Sequence, residues 1–292
     1  EPAHRLGRGQ GHFGRQRLNS SSFTVGVFDS GVGGLSVLQA LLAEMPQAHF
    51  VYLADGAHAP YGERSAEQVA ERAHRITRRL RETFHIDALV VACNTATALA
   101  IEGLREQHLG WPIVGVEPAL KPAAALTHTG HVGVIGTRGT VESARVARLR
   151  DRLQSEARTP LHFSLQACDG LADAIERDDQ PAIRALSQRY IGALLSQTST
   201  LAPMDTLVLG CTHYPFASEI LQALCGPNVT MVETGAPVAR RTRQVLEALP
   251  RPETRPVVVP GVTLLSTGDP EPLARAAQRW LGLKIPGQHL AC

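Results

Sequence analysis

Lysine is almost absent. Of 29 basic residues in a chain of 292, only Lys121 and Lys284 are lysines, leaving 27 arginines. A pyridoxal-phosphate enzyme needs a lysine to hold its cofactor as a Schiff base. Lys121 stands before Pro122, and Lys284 lies in a Leu-Gly-Leu-Lys-Ile-Pro stretch, so neither is placed for that role and no cofactor is expected. Charge of one sign is also scarce. A formal net charge of +2 does not mark a nucleic-acid binder. The basic residues are spread along helix-like stretches such as Glu71–Arg81, which reads as a solvated face. Cysteines number five: Cys93, Cys168, Cys211, Cys225 and Cys292. The odd count, wide spacing and lack of a Cys-x-x-Cys pair argue against a disulfide framework or a structural zinc site, so no metal is expected. Free thiols fit a reducing cytoplasm. No apolar run approaches the roughly 18 residues of a membrane span. Residues Glu1–Ser22 are rich in Gly, Arg and His and lack the apolar core of a signal peptide. They are expected to be a disordered extension or a cloning remnant.

From Phe23 onward, short apolar runs alternate with longer helical ones. Strands are expected at Phe23–Phe28, His49–Ala54, Asp87–Ala92 and Pro112–Val116. Helices are expected at Leu35–Met45 and Ser65–Thr83, and from about Asn94. Ser65 can cap the second helix, with Gln68 at the capping-box position. The alternation then restarts. Strands are expected at His131–Ile135, Leu161–Gln166, Thr206–Gly210, Thr230–Glu233 and Val262–Ser266. Helices are expected at Val141–Ser155, Pro181–Gln197, from about Pro215, at Pro237–Ala248 and at Glu271–Leu281. Such alternation predicts an α/β fold with mostly parallel sheets covered on both faces.

The restart repeats residues as well as period. Val25-Gly26-Val27-Phe28-Asp29-Ser30 is echoed by Val132-Gly133-Val134-Ile135-Gly136-Thr137. Asp87-Ala88-Leu89-Val90-Val91-Ala92-Cys93-Asn94-Thr95 is echoed by Asp205-Thr206-Leu207-Val208-Leu209-Gly210-Cys211-Thr212-His213. Two similar α/β domains follow, related by a pseudo-twofold axis with a cleft between them. The first is drawn as 23–117 plus 231–292 and the second as 118–230.

Ligands of open α/β sheets sit outside the carboxyl ends of the strands. Cys93 and Cys211 fall there, each expected before a helix N-terminus. That setting can bind a carboxylate and lower a thiol pKa toward neutrality. Most cysteines are small buried hydrophobes, the reading given to Cys168, Cys225 and Cys292. The repeated strand–Cys–polar context sets Cys93 and Cys211 apart. One such cysteine suggests a nucleophile. Two facing one cleft suit inversion of a stereocentre, where one group removes the Cα proton and another delivers a proton to the opposite face.

Asp29-Ser30-Gly31-Val32-Gly33-Gly34 contains Gly-x-Gly but is neither a dinucleotide fingerprint nor a phosphate loop. Asp29 can orient a substrate ammonium, assist Cys93, or simply cap the following helix. Tyr61 and Gly62 sit in a loop after the second strand. Asn94, Thr95, Thr212 and His213 offer donors at the two helix starts. Thr137 stands where Ser30 stands in the first half. His213 can relay protons to Cys211, and Glu176 lies in a helical stretch after Cys168.

At these residues the chain resembles the aspartate/glutamate racemase family. The segments that carry the resemblance are Val27–Leu35, Pro60-Tyr61-Gly62, Ala92–Ala96, Val134–Thr137 and Asp205–Pro215. They run in the family's order from about residue 24 to 235. The resemblance implies cofactor-independent interconversion of L- and D-glutamate, supplying D-glutamate for bacterial peptidoglycan. It implies that Cys93 handles the proton of D-glutamate and Cys211 that of L-glutamate, assisted by Asp29, His213 and Glu176. Substrate contacts are implied at Asp29, Ser30, Tyr61, Gly62, Asn94, Thr95, Thr137, Thr212 and His213, and a homodimer is implied. The chain departs from the family pattern at Asp169–Glu176 and at Val232-Glu233-Thr234. Aspartate racemisation on the same fold stays open. So do a cysteine hydrolase using His213 as base and a non-catalytic amino-acid-binding protein.

Overall fold

A computed structural model describes residues 23–197, 202–250 and 259–292. The extension expected at residues 1–22 lies outside the described residues. The first half runs β1 (Thr24–Asp29), α1 (Leu35–Glu44), β2 (His49–Ala54), α2 (Ala66–Phe84), β3 (Ala88–Val91), α3 (Asn94–Gln107) and β4 (Ile113–Gly115). The second runs α4 (Leu120–Leu126), β5 (His131–Gly136), α5 (Arg138–Val141), α6 (Ala144–Glu156), β6 (His162–Ala167), α7 (Leu171–Glu176), α8 (Gln180–Ser196), β7 (Thr206–Gly210), α9 (Ser218–Cys225) and β8 (Thr230–Val232). The chain then continues through α10 (Gly235–Glu247), β9 (Gly261–Ser266), α11 (Glu271–Leu281) and β10 (Gly287–His289).

These strands form two sheets in which all described pairings are parallel, ordered β10-β9-β2-β1-β3-β4 and β6-β5-β7-β8. The order β2-β1-β3-β4 in the first matches β6-β5-β7-β8 in the second, as the repeated segments require. Each cysteine-bearing strand lies beside the first strand of its half. The α/β expectation therefore holds. The tail returns to the first sheet, since β9 pairs with β2 from His49↔Gly261 to Ala54↔Ser266. The division at 230/231 needs correction, because it cuts through β8. That strand pairs with β7 at Thr206↔Thr230, Leu207↔Met231 and Val208↔Val232, so its ladder bonds keep it whole in the second sheet.

Burial on both faces explains why the strands read as continuous apolar runs. Leu35, Leu38 and Leu41 of α1 pack on one face of the first sheet together with Val238 and Leu246 of α10. Ile76 and Leu80 of α2 and Leu104 of α3 cover the other. Each such side chain, fully buried, stabilises the fold by about 1.5–3 kcal/mol. Ser65 caps α2 through the full capping box: its hydroxyl accepts from Gln68 N–H, and its own N–H donates to the Gln68 side chain. The helix expected over Val141–Ser155 is split, because Ser143 leaves the helix to cap α6 by accepting from Val146 N–H. The segment Pro118–Pro122, where the boundary between the two domains is drawn, leads into α4 at Leu120. Pro122 falls in its first turn, where a missing N–H leaves no helical bond unmade.

Candidate active site

Cys93 is the N-cap of α3. Its sulfur accepts from Ala96 N–H at 3.4 Å and donates to Ser30 Oγ at 3.6 Å. Asp29, the last residue of β1, lies wholly buried beside it. Asp29 Oδ1 accepts from Gly31 N–H at 2.8 Å and from the Ser30 hydroxyl at 3.2 Å, and Oδ2 accepts from Thr212 Oγ1 at 3.0 Å. Burial pushes the Asp29 carboxyl up to about 6, against the pull of the His213 charge, Gly31 and Thr212. The expectation that the helix N-terminus lowers the Cys93 thiol is overturned. Burial, reinforced by the Asp29 charge, pushes it up to about 12, and the Ala96 N–H and Ser30 hydroxyl do not offset this. An uncompensated thiolate in a dry pocket costs more than one helix terminus returns.

Cys211 follows β7, but no helix starts there. A 3-10 turn over Tyr214–Ala217, with Pro215 inside it, comes first, and α9 begins only at Ser218. The expected helix N-terminus is therefore replaced by a side-chain chain. Cys211 Sγ lies 3.6 Å from His213 Nδ1, and His213 Nε2 donates to Glu176 Oε2 at 2.7 Å. Burial opposes the imidazolium, but the bonds to Cys211 and Glu176 prevail and hold His213 well above the ordinary imidazole value. Burial likewise opposes the Glu176 carboxylate. The His213 bond and charge, with Val32 N–H, outweigh that and keep Glu176 below its usual range. The result is an ion pair backing one cysteine and a buried carboxyl, raised to about 6, beside the other.

The glycine-rich turn after β1 owes its composition to the opposite half. A methyl group at Gly31 would overlap the Glu176 carboxylate, and one at Gly33 the His213 ring. These glycines let side chains of the second half press against the backbone of the first. Further bonds close the same seam. Ser36 Oγ donates to Thr212 O at 2.8 Å, and the Thr95 and Thr137 hydroxyls meet at 2.9 Å.

A cavity of about 600 Å³ opens at this seam. Ser30, Tyr61, Gly62, Cys93, Asn94, Thr95, Thr137, Glu176, Cys211, Thr212 and His213 all line it, with Asp29 buried beneath. Both cysteines are 5% exposed. Asn94 is buried, and among the described residues neither its amide nitrogen nor its amide oxygen has a partner, an arrangement that a bound polar ligand would satisfy. Cys168 packs in the core behind Cys211, away from the lining. No cluster of three or more potential metal ligands occurs among the described residues.

Other residues at the site escaped the sequence. Arg177, Arg275, Arg279 and Trp280 rim the cavity from α7, its C-cap and α11. Arg279 pairs with Asp178 at 2.7 Å, and Trp280 stacks on Phe216 with ring centroids 3.7 Å apart, joining the two halves at the mouth. The amphipathic pattern of Glu271–Leu281 marks a helix but does not say what its polar face meets. Asp55, which holds the Tyr61 hydroxyl at 2.6 Å, was also unmarked. The available signal was its place one residue past β2, matching that of Cys211 past β7.

The profile of one protein family, described as Asp/Glu/Hydantoin racemase, matches residues 30–242. A glutamate racemase of Ectopseudomonas mendocina is 48% identical over 231 residues, spanning 78% of this chain and 84% of the relative. One from Pseudomonas aeruginosa is 48% identical over 229 residues, spanning 78% and 83%. Among solved structures, Escherichia coli glutamate racemase in complex with L-glutamate and the activator UDP-MurNAc-Ala superposes with a TM-score of 0.78. It is 32% identical, and the match covers 92% of this chain and 98% of that one.

Proposed function

The chain belongs to the Asp/Glu/Hydantoin racemase family, and on that premise we propose that it interconverts L- and D-glutamate by two-base proton transfer between Cys211 and Cys93. The observation that carries the mechanism is the pair of cysteines, one at the end of β7 and one just past β3, buried on the same cavity. In the L-to-D direction, the Cys211 thiolate, facing the His213 imidazolium, removes the Cα proton. The Cys93 thiol, held protonated by burial and by Asp29, delivers a proton to the opposite face. The D-to-L direction reverses the two roles, with Asp29 beside Cys93 as the group that can take up its proton. Donors at the α3 N-terminus, Asn94 and Thr95, with Ser30, Thr137 and Thr212, serve the substrate carboxylates and the charge developing in the carbanion. Tyr61 and Gly62 form one wall, and His213 and Glu176 act as relay and anchor.

The product supplies D-glutamate for peptidoglycan. We draw the domains as 23–117 with 233–292 and 118–232, since β8 stays with the second sheet. The five free thiols support a cytoplasmic enzyme, and no helix among the described residues is long and apolar enough to cross a membrane. A homodimer is the expected assembly, checked by sedimentation equilibrium.

The test is circular dichroism of purified protein with each glutamate enantiomer and no added cofactor, in H₂O and D₂O. Racemisation with deuterium entering Cα is expected, with L-aspartate a poor substrate. Cys93→Ala and Cys211→Ala are each expected to lose about 10²–10⁴-fold or more in kcat. Full activity in either variant removes that cysteine from the mechanism. One essential cysteine with a trappable acyl-enzyme would instead identify a hydrolase.

A further inference from the structure

Asp55 lies one residue past β2, is wholly buried, and does not line the cavity. Its carboxylate gathers five donors. Oδ1 accepts from Arg72 Nη2 at 2.8 Å, Thr267 Oγ1 at 2.6 Å and His58 Nδ1 at 3.1 Å. Oδ2 accepts from the Tyr61 hydroxyl at 2.6 Å and Arg72 Nε at 2.9 Å. Burial works against the charge, but the bonds from Arg72, Thr267 and Tyr61 outweigh it and keep Asp55 below the usual carboxylate range. One buried anion thus ties together the end of β2, the following loop, α2 and the residue after β9.

Of these partners, only Tyr61 lines the cavity. Its hydroxyl is bound to Asp55, so it is not a substrate donor. The Tyr61 ring packs edge-on to Phe28, and the Pro60–Gly62 backbone carries three successive residues of the lining. That backbone stands against the opposite half: a methyl on Gly62 would come within 3.3 Å of Thr137 Cβ.

We propose that Asp55, with Arg72 and Thr267, is a positioning residue of the reaction. It anchors Tyr61 from behind, so that the Pro60–Gly62 backbone stands fixed as the substrate-facing wall of the cleft. The inference rests on the glutamate reading and adds a device that acts on substrate binding through Tyr61 rather than on the transferred proton. Loosening the anchor raises KM for both enantiomers and leaves kcat nearly intact.

The test compares Tyr61→Phe and Asp55→Asn with the wild type in full-length protein, measuring kcat, KM and thermal midpoint, with glutamate Kd by calorimetry. Tyr61→Phe removes one hydroxyl and leaves the Asp55–Arg72 pair whole. It is expected to raise KM and Kd about three- to tenfold, as for one lost hydrogen bond, with kcat within about twofold. Asp55→Asn is expected to show the same split, more strongly. If it fails to fold, Tyr61→Phe decides alone. A folded Tyr61→Phe variant with wild-type KM and Kd overturns the proposal, whatever its thermal midpoint, because a purely structural anchor lowers stability and leaves substrate affinity alone. A wild type that binds glutamate without racemising it sinks the racemase reading, while the ratio of Kd values still decides the role of Asp55. A wild type that neither binds nor racemises glutamate overturns both.

Discussion

Asp29 and Cys93 show how burial sets protonation at single side chains. Asp29 titrates near 6 in the folded chain, above its ordinary 3.8. For a raised acid, the favourable contribution is complete below the unfolded value, where both states hold the proton. It is lost as pH rises through the folded value, because the unfolded chain ionises first. The window therefore runs from about pH 4 to 6, and the gap corresponds to about 3 kcal/mol for a group with no exposure. Asp29→Asn removes this term. Urea unfolding at pH 4 and pH 7 is expected to show the change in stability between those pH values becoming more positive by about 2 kcal/mol in the variant, since at pH 4 the unfolded carboxyl is already about half ionised. An identical pH dependence in both proteins means that the Asp29 carboxyl is not raised. The same burial pushes the Cys93 thiol up, which is what the proposed mechanism asks of its proton-holding partner, while the ion pair behind Cys211 faces the other sulfur with positive charge.

Among the elements, the turn between β1 and α1 and the helix α7 belong to different halves yet share one surface. The turn supplies glycines where α7 supplies Glu176 and the segment after β7 supplies His213. Gly33→Ala inserts a methyl group into the space of the His213 ring. Overpacking of this kind typically costs about 1–3 kcal/mol, met here by moving the ring off Cys211. Racemase kcat is expected to fall by about 10²-fold or more, as when a proton-transfer group is misplaced. Gly192→Ala, in a helix with open space around it, is the control and should leave kcat unchanged. Equal activities in the two variants would show that the close approach at Gly33 has no bearing on catalysis. Helix α7 itself starts from Gly170 at φ +77°, a backbone state that glycine alone adopts freely.

Over the whole molecule, the two halves meet through polar bonds that include Thr212 to Asp29, Ser36 to Thr212, Thr95 to Thr137 and Arg279 to Asp178. The cavity between them contains Asn94 with both amide atoms unpaired. On the proposed reading, a glutamate bridging the halves would supply the missing partners and bind only the assembled state. Saturating L- or D-glutamate, at about 100 times Kd, is therefore expected to stabilise the fold by about 2.7 kcal/mol, read as a rise in thermal midpoint. L-aspartate, one methylene shorter, should give a smaller rise. No rise with either glutamate enantiomer argues against glutamate as the ligand of this cleft.

Local patterning was enough to determine the strands, most helices, the capping of α2 and the duplication of Cys-bearing turns. Each of these depends on neighbours a few residues apart: alternation, capping spacing, or the polar residue after an apolar run. The repeat also pointed to the strand ends that line the cavity, since a parallel sheet presents all its carboxyl ends on one edge. Only tertiary structure decided that Glu176 reaches His213, that Cys211 is backed by an ion pair rather than a helix terminus, and that Asp55 holds Tyr61. Those contacts join residues from separate elements, and Glu176 and His213 lie 37 positions apart. The direction of the Cys93 shift belongs to the same class. Desolvation depends on everything packed around a group, and no local window of sequence contains that information.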